Sequence, residues 1–275
     1  MRELAIREVA DQTGLAAGTI RMWEQRYGFP EPQRTPTGYR LYSPADVDVL
    51  RRVVELRKGG LSVPAALERA RATTAGPTDR PSIFGAVPNG GRVRRLRKRT
   101  LIALSRAIED EAMASAAGPI VFGAFQQVRH YRASAHRYRR LAERADAAVV
   151  FADFDVPRVA PGEPAEVPIP ADAALGNEWA VVIDAPGYAA CLLAWERPEE
   201  QRLPDLDRRF ESLWTTDPAV VRRAALVGCS LTRASCPELA ERIERLLADR
   251  PLATEQPAPA LTALTNRLVA YLEAA

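Results

Sequence analysis

The chain has 275 residues, 47% of them hydrophobic, and 38 basic against 35 acidic side chains leave a net charge of +3. That length and apolar content suit two ordinary domains, each with its own core, and exclude a disordered chain. No apolar stretch approaches the roughly 18 residues of a membrane-spanning helix, and "MRELAIREVADQ" lacks the apolar core and cleavage site of a secretory signal, so a cytoplasmic protein with no membrane partner is expected.

Residues 1–75 alternate helix and turn signals. "AIREVADQTGL" sets Ile6, Val9 and Ala10 on one helical face and stops at Gly14. In "TIRMWEQRYGF", from Thr19 to Phe29, helical spacing puts Ile20, Trp23, Glu24 and Tyr27 on one side. Gly18, Arg21, Met22, Gln25 and Arg26 fall on the other. Prolines in "FPEPQRTPTGYRLYSP" forbid a helix, and Thr37-Gly38 offers a hairpin turn. Ser43 then suits an N-cap and Pro44 the first helical position, with Val47, Leu50 and Val54 as the buried stripe. Gly59-Gly60 ends that helix, and "SVPAALERARA" begins another.

A helix, a glycine turn and a second helix with a polar outer face form a unit that can place its second helix in the DNA major groove. Arginine and glutamine are side chains that reach phosphates and base edges. A helical hairpin with a solvated charged face fits the same pattern. "RTPTGYRLY" favours the DNA reading, because a turn carrying Arg34, Tyr39, Arg40 and Tyr42 can lie along a phosphate backbone.

The stretch from Leu4 to about Ala70 resembles the winged helix-turn-helix of the MerR family. "IREVADQTGL" is similar to its first helix, "TIRMWEQR" to its recognition helix and "GYRLYSPADVDVLRRV" to its wing and following helix. Met22 stands where an aromatic is often found, and "WEQRYGFP" is closer to the branch that includes cobalamin-dependent light sensors. The resemblance implies a DNA-binding set of Thr19, Arg21, Gln25, Arg26, Arg34, Tyr39, Arg40 and Tyr42. Trp23 and Tyr27 would be core, and Glu24 an internal salt-bridge partner. The partners implied are double-stranded promoter DNA, a second copy of the chain and, indirectly, RNA polymerase.

Residues 76–91, in "TAGPTDRPSIFGAVPNGG", read as a linker. Arginine greatly outnumbers lysine and clusters in the first hundred residues, notably in "RVRRLRKR". That asymmetry suggests an acidic partner. A helix is expected from Arg92 to Met113. The strand-length runs "PIVFGAF", "AAVVFADF", "EWAVVIDAP" and "YAACLLAWE" follow, the last two joined through Pro186-Gly187. "RRFESLWTTDPAVVRRAALV" and "CPELAERIERLLADR" read as helices, so Phe210, Leu213 and Trp214 form a buried stripe, whereas Trp179 opens a strand and is half wet. The fold class is thus an all-α winged helix-turn-helix domain plus an α+β sensory domain, residues 92–250, with a small antiparallel sheet. Residues 251–275 form a C-terminal helix striped by Leu261, Leu264, Leu268 and Tyr271. That helix, or the one from Arg92, is the candidate dimer contact.

The second region resembles the DICT sensory domain through "LIALSRAIEDEA", "VFGAFQ" and "FESLWTTDPAVVRRA". The resemblance implies a sensory role and names no ligand. Phe122, Phe125, Tyr131, Tyr138, Trp179, Tyr188 and Trp195 could line a site for a planar apolar small-molecule effector. They could equally fill a core. No D-x-H-x-x-G string supports cobalamin, and no cofactor is assigned. Cys191, Cys229 and Cys236 read as buried thiols, and His130 and His136 do not share a metal-binding face. Asp153 and Asp155 are the nearest approach to paired acids, and they read as a strand end at the surface. No catalytic constellation is recognised, so a non-enzymatic transcription regulator is expected. The alternatives are a light or redox sensor with a noncovalent chromophore and an enzyme fused to a DNA-binding module.

Overall fold

The computed structural model describes residues 3–35, 37–58, 61–74, 82–86, 93–169, 174–196 and 204–252, with 267, 268, 271 and 272 near the C-terminus. The chain divides into two compact units, Met1–Asp79 and Arg80–Ala275.

In the first unit α1 (Ile6–Thr13) closes at Gly14, whose φ of 70° lets its N–H reach the Ala10 carbonyl. A side chain at that angle would be strained, which is why a glycine makes the turn. Next comes α2 (Ala17–Tyr27). Three short antiparallel strands, β1 (Leu4–Ala5), β2 (Gln33–Arg34) and β3 (Arg40–Tyr42), form a sheet in the order β1-β3-β2, so the unit is not purely α-helical. The hairpin between β2 and β3 closes as expected: the Gly38 N–H donates to the Thr35 carbonyl, and the Tyr39 N–H to Thr35 Oγ1. Ser43 and Asp46 cap α3 (Pro44–Lys58) reciprocally: Asp46 N–H donates to Ser43 Oγ, and Ser43 N–H and Oγ donate to the Asp46 carboxylate. With α4 (Val63–Thr74), these helices bury Val9, Ile20, Trp23, Leu50 and Val53 almost completely.

The second unit is built on a seven-stranded sheet in the order β4-β10-β9-β8-β5-β6-β7. Its strands are β4 (Arg94–Arg97), β5 (Ile120–Ala124), β6 (Ala147–Ala152), β7 (Ala165–Pro168), β8 (Glu178–Ala185), β9 (Tyr188–Glu196) and β10 (Arg209–Thr215). The expectation of a small antiparallel sheet is corrected: β5, β6 and β7 run parallel and the other neighbours antiparallel. The cause is α7 (Val128–Ala142), which connects β5 to β6. A connecting helix carries the chain back to the start of the sheet, and the next strand is then parallel. The β8–β9 hairpin turns through Gly187, at φ 76°, as the Pro-Gly signal indicated.

Two stretches read as helix are strands. Arg94–Arg97 pairs with β10, and α6 (Lys98–Ser115) begins only after it. Arg209–Thr215 is β10, with α8 (Pro218–Arg233) starting behind the Asp217 cap. Two pairing partners distant in sequence stabilise β10, an interaction invisible to local spacing. The exposed arginines of β4 lie on an edge strand, where charge discourages pairing with another chain.

Both faces of the sheet are covered. Leu101, Leu104 and Ile108 of α6 and Tyr131, Tyr138 and Leu141 of α7 pack with Val121, Val181, Leu192 and Phe210 on one face. On the other lie α8 and α5 (Ile83–Ala86), followed by α9 (Pro237–Asp249) against α8. Residues 82–86, inside the stretch read as linker, thus fold with the second unit: the buried Glu178 carboxylate accepts from Ile83 and Phe84 N–H at 3.0 and 3.1 Å and from Ser82 Oγ. Within the Arg92–Met113 dimer candidate, the apolar face of α6 is buried in its own core. Leu268 joins that core, Arg267 pairs with Glu111 at 3.0 Å, and the Tyr271 hydroxyl donates to Asp110. Leu261 and Leu264 lie outside the described residues.

Candidate nucleic-acid interface and sensory pocket

Helix α2 presents the two faces expected of it. Ile20 and Trp23 are buried, Tyr27 is half-buried and Thr19 lies half-buried near the N-terminus, while Arg21, Met22, Gln25 and Arg26 are exposed. The Arg21 and Gln25 side chains have no hydrogen-bond or ion-pair partner among the described residues, and the Arg26 guanidinium lies 5.6 Å from the Tyr27 ring centroid. An exposed stripe of unengaged arginine and glutamine is ready to meet phosphates and base edges.

Glu24 is internal, as expected, and it organises the wing. Its carboxylate takes Arg40 Nε at 2.8 Å and the Tyr42 hydroxyl at 2.5 Å, which joins α2 to β3. Burial and the Glu24 hydrogen bond push the Tyr42 phenol well above its ordinary pKa, so it stays protonated as the donor. Placing Tyr42 among the DNA-binding residues is therefore corrected: the ring is fully buried. Arg40 and Tyr42, two residues apart on β3, share the strand face turned toward Glu24, and burial increases along it from the half-buried Arg40 to Tyr42. Arg34 and Tyr39 are exposed, and Arg34 lies directly across the ladder from Arg40. Like charges opposed in this way repel, although the Glu24 carboxylate already offsets that of Arg40.

The seven aromatics proposed for the sensory site do not converge. Phe122 stacks on Phe151 with ring centroids 6.2 Å apart and touches α8 at Gly228. Trp195 pairs with Glu178, on the face that carries α5. Both therefore lie on the opposite side of the sheet from the other five. Tyr131, Tyr138 and Tyr188 are buried in the core between the sheet and α6/α7, where the Tyr188 hydroxyl donates to the Ile108 carbonyl at 3.0 Å. Burial raises the Tyr131 phenol to about 12. Of the seven, Phe125 and Trp179 line a groove of about 240 Å³ between α6 and α7. Residue type identified aromatic rings, but strand alternation divided them.

Polar residues that the sequence reading had not connected complete this groove. Lys98, Ser105, Arg106 and Glu109 of α6 face His130, Ser134 and Arg137 of α7. Their three- and four-residue spacing along α6 and α7 was the available signal. Trp214, expected in the core, is 40% exposed, because it lies near the end of β10, where burial fades over the last two residues.

Asp153 ends β6 and accepts the Val128 N–H at the start of α7, which makes it a helix cap. All three cysteines are buried free thiols, and burial pushes Cys191 up to about 12, far from a reactive thiolate. Among the described residues, no cluster of three or more His, Cys, Asp or Glu could hold a metal, and no helix is long and apolar enough to cross a membrane.

Residues 4–72 match the MerR helix-turn-helix regulatory protein family, and residues 86–197 match the DICT domain, described as a sensory domain in diguanylate cyclases and two-component systems. The chain joins a MerR-type helix-turn-helix to a DICT sensory domain. Residues 204–275 further match the C-terminal domain of a two-partite extracellular sensor domain. The transcriptional repressor CarA of Myxococcus xanthus is 44% identical over 80 residues, covering 28% of this chain and 27% of that protein. The repressor CarH of the same organism is 37% identical over 82 residues, 27% of each chain. The mercuric resistance operon regulatory protein of Bacillus cereus is 40% identical over 58 residues, 21% of this chain and 44% of that one. The chain thus matches about a quarter of the length of the two repressors.

Proposed function

We propose that the chain is a cytoplasmic, non-enzymatic transcription regulator that binds promoter DNA as a homodimer and acts indirectly on RNA polymerase, its binding modulated by a signal sensed in the DICT domain. The exposed, unengaged stripe Arg21 and Gln25 on α2, supported by Glu24 from behind, carries this reading. Named relatives of the reader are transcription regulators, and two-fold proteins suit palindromic operators because one recognition helix covers few bases. Arg26, Arg34, Tyr39 and Arg40 complete the proposed contact surface with Thr19 at the start of α2. The clasp of Glu178 on residues 82–86 gives the sensory domain a hold on the chain that leads from the reader.

Selection from a randomised duplex pool, followed by anisotropy titration of the selected and scrambled duplexes, tests the reading. Gln25→Ala should relax preference at one base pair by about 1–3 kcal/mol if its contact is bidentate. Arg34→Ala should weaken both duplexes alike and reduce the slope of log affinity against log salt by about 0.9. Arg34 is a cleaner probe than Arg40, whose removal also frees Glu24. A pool that returns no preferred sequence for the wild-type chain would sink the proposal.

A further inference from the structure

The groove between α6 and α7 combines two preset aromatic rings with one unengaged cation. The Trp179 indole is fixed by its Nε1–H to Ser105 Oγ at 3.0 Å and by an edge contact to Phe210, at 6.2 Å between centroids, and it remains only half-buried. Phe125 is held edge-on by Tyr138 at 5.0 Å and tilted against Tyr131 at 5.5 Å. Neither ring needs reorganisation to accept a planar partner.

The charges around these rings are nearly all matched. Lys98 Nζ holds both Asp205 oxygens at 2.8 Å, and Arg137 reaches Glu109 and Asp110 at 2.6 Å each. Arg106 is exposed at the mouth, and its guanidinium has no hydrogen-bond or ion-pair partner among the described residues. Of the three cationic groups that line the groove, Lys98 and Arg137 are ion-paired, which leaves Arg106 as the cation open to an anionic ligand. His130 and Ser134 add uncharged hydrogen-bonding groups, since burial and then the nearby charges of Lys98 and Arg129 hold the imidazole below its ordinary pKa. The volume, about 240 Å³, falls below the roughly 300 Å³ at which drug-sized pockets begin. It suits one ring with a short substituent better than a nucleotide or a fused polycyclic chromophore.

We propose that this groove binds a small monocyclic aromatic carboxylate, its ring against Phe125 and Trp179 and its carboxylate on Arg106. The assignment rests on the sensory reading of the DICT domain and supplies its ligand class. Trp179 follows Glu178 in β8, so the ring facing the ligand and the carboxylate clasping residues 82–86 are consecutive residues on opposite faces of the sheet.

Benzoate and its uncharged counterpart benzyl alcohol, titrated into the full chain with tryptophan fluorescence and thermal shift as readouts, test the proposal. Benzoate should give a saturable response in both, with benzyl alcohol at least about tenfold weaker, the ~1.4 kcal/mol of one charge-assisted contact. Arg106→Gln should weaken benzoate about tenfold and leave benzyl alcohol unchanged, while Arg94→Gln on the edge strand alters neither, which controls for net charge. Trp179→Phe should remove the fluorescence response while the thermal shift persists. No saturable response to benzoate in the millimolar range would overturn the assignment, as would equal losses in the two arginine variants. Duplex affinity measured in parallel separates the two proposals. A chain that binds its duplex and ignores benzoate overturns the pocket alone; one that binds benzoate with no change in duplex affinity keeps the pocket and removes its link to the reader.

Discussion

Two side chains in the sensory domain show how environment overrides residue type. Trp214 and Phe210 both sit in β10 with side chains on one face, yet Phe210 is inaccessible while burial fades over the last two residues of the strand. Phe210→Ala should therefore cost about 3–5 kcal/mol, and Trp214→Ala less than about 1 kcal/mol. Urea denaturation of the full-length variants would show this, and equal losses would contradict the difference in burial. His130 makes a second prediction. Burial first, and then the charges of Lys98, Arg129 and Arg208, lower its pKa from 6.5, with Asp205 acting the other way. A base with a lower pKa when folded takes up more protons when unfolded, so stability falls as the pH drops through 6.5 and levels off below the folded value. Thermal melts should show that loss in the wild-type chain and not in His130→Gln. Parallel profiles would remove His130 as its source.

At the level of elements, α8 and β5 approach each other closely in the second domain. A Cβ added at Gly228 would stand 2.7 Å from Phe122, whose ring is already stacked on Phe151. Helix propensity alone favours alanine over glycine by about 1 kcal/mol. Overpacking a buried ring costs about 1–3 kcal/mol, and here it should win, because sheet and helix hold Phe122 from both sides. Gly228→Ala is thus expected to destabilise, seen as a lower urea midpoint. A raised midpoint would mean that Phe122 has room to move.

Across the whole molecule, the structural question is how the chain between reader and sensor is held. Glu178 is fully buried and accepts from two backbone N–H groups and the Ser82 hydroxyl. Glu178→Gln would turn an NH2 group toward these donors and should cost about 1–3 kcal/mol. The loss should be local: amide exchange at Ile83 and Phe84 should speed up more than at the β5 core. Unchanged exchange at both amides would show that something other than Glu178 secures residues 82–86.

Much of this protein was legible in its sequence because it depends on neighbours a few residues apart. The glycine turn after α1, the Ser43 cap, the two faces of α2 and the β8–β9 hairpin are local events, fixed by backbone freedom and helical or strand periodicity. The internal role of Glu24 followed from its place on the inward side of α2, although its partners, Arg40 and Tyr42, lie on β3. Tertiary structure decided what depends on distant partners. Whether "RRLR" and "RFESLWT" become strands depends on their pairing with each other, and α7 makes part of the sheet parallel. Sheet alternation sends Phe122 and Trp195 to one side and Trp179 to the other, so a single aromatic cluster in the sequence becomes two separate environments. The groove that holds Phe125, Trp179 and Arg106 exists only once α6 and α7 pack side by side on that sheet. No periodicity records that proximity, because the residues that create it come from four separate segments of the chain.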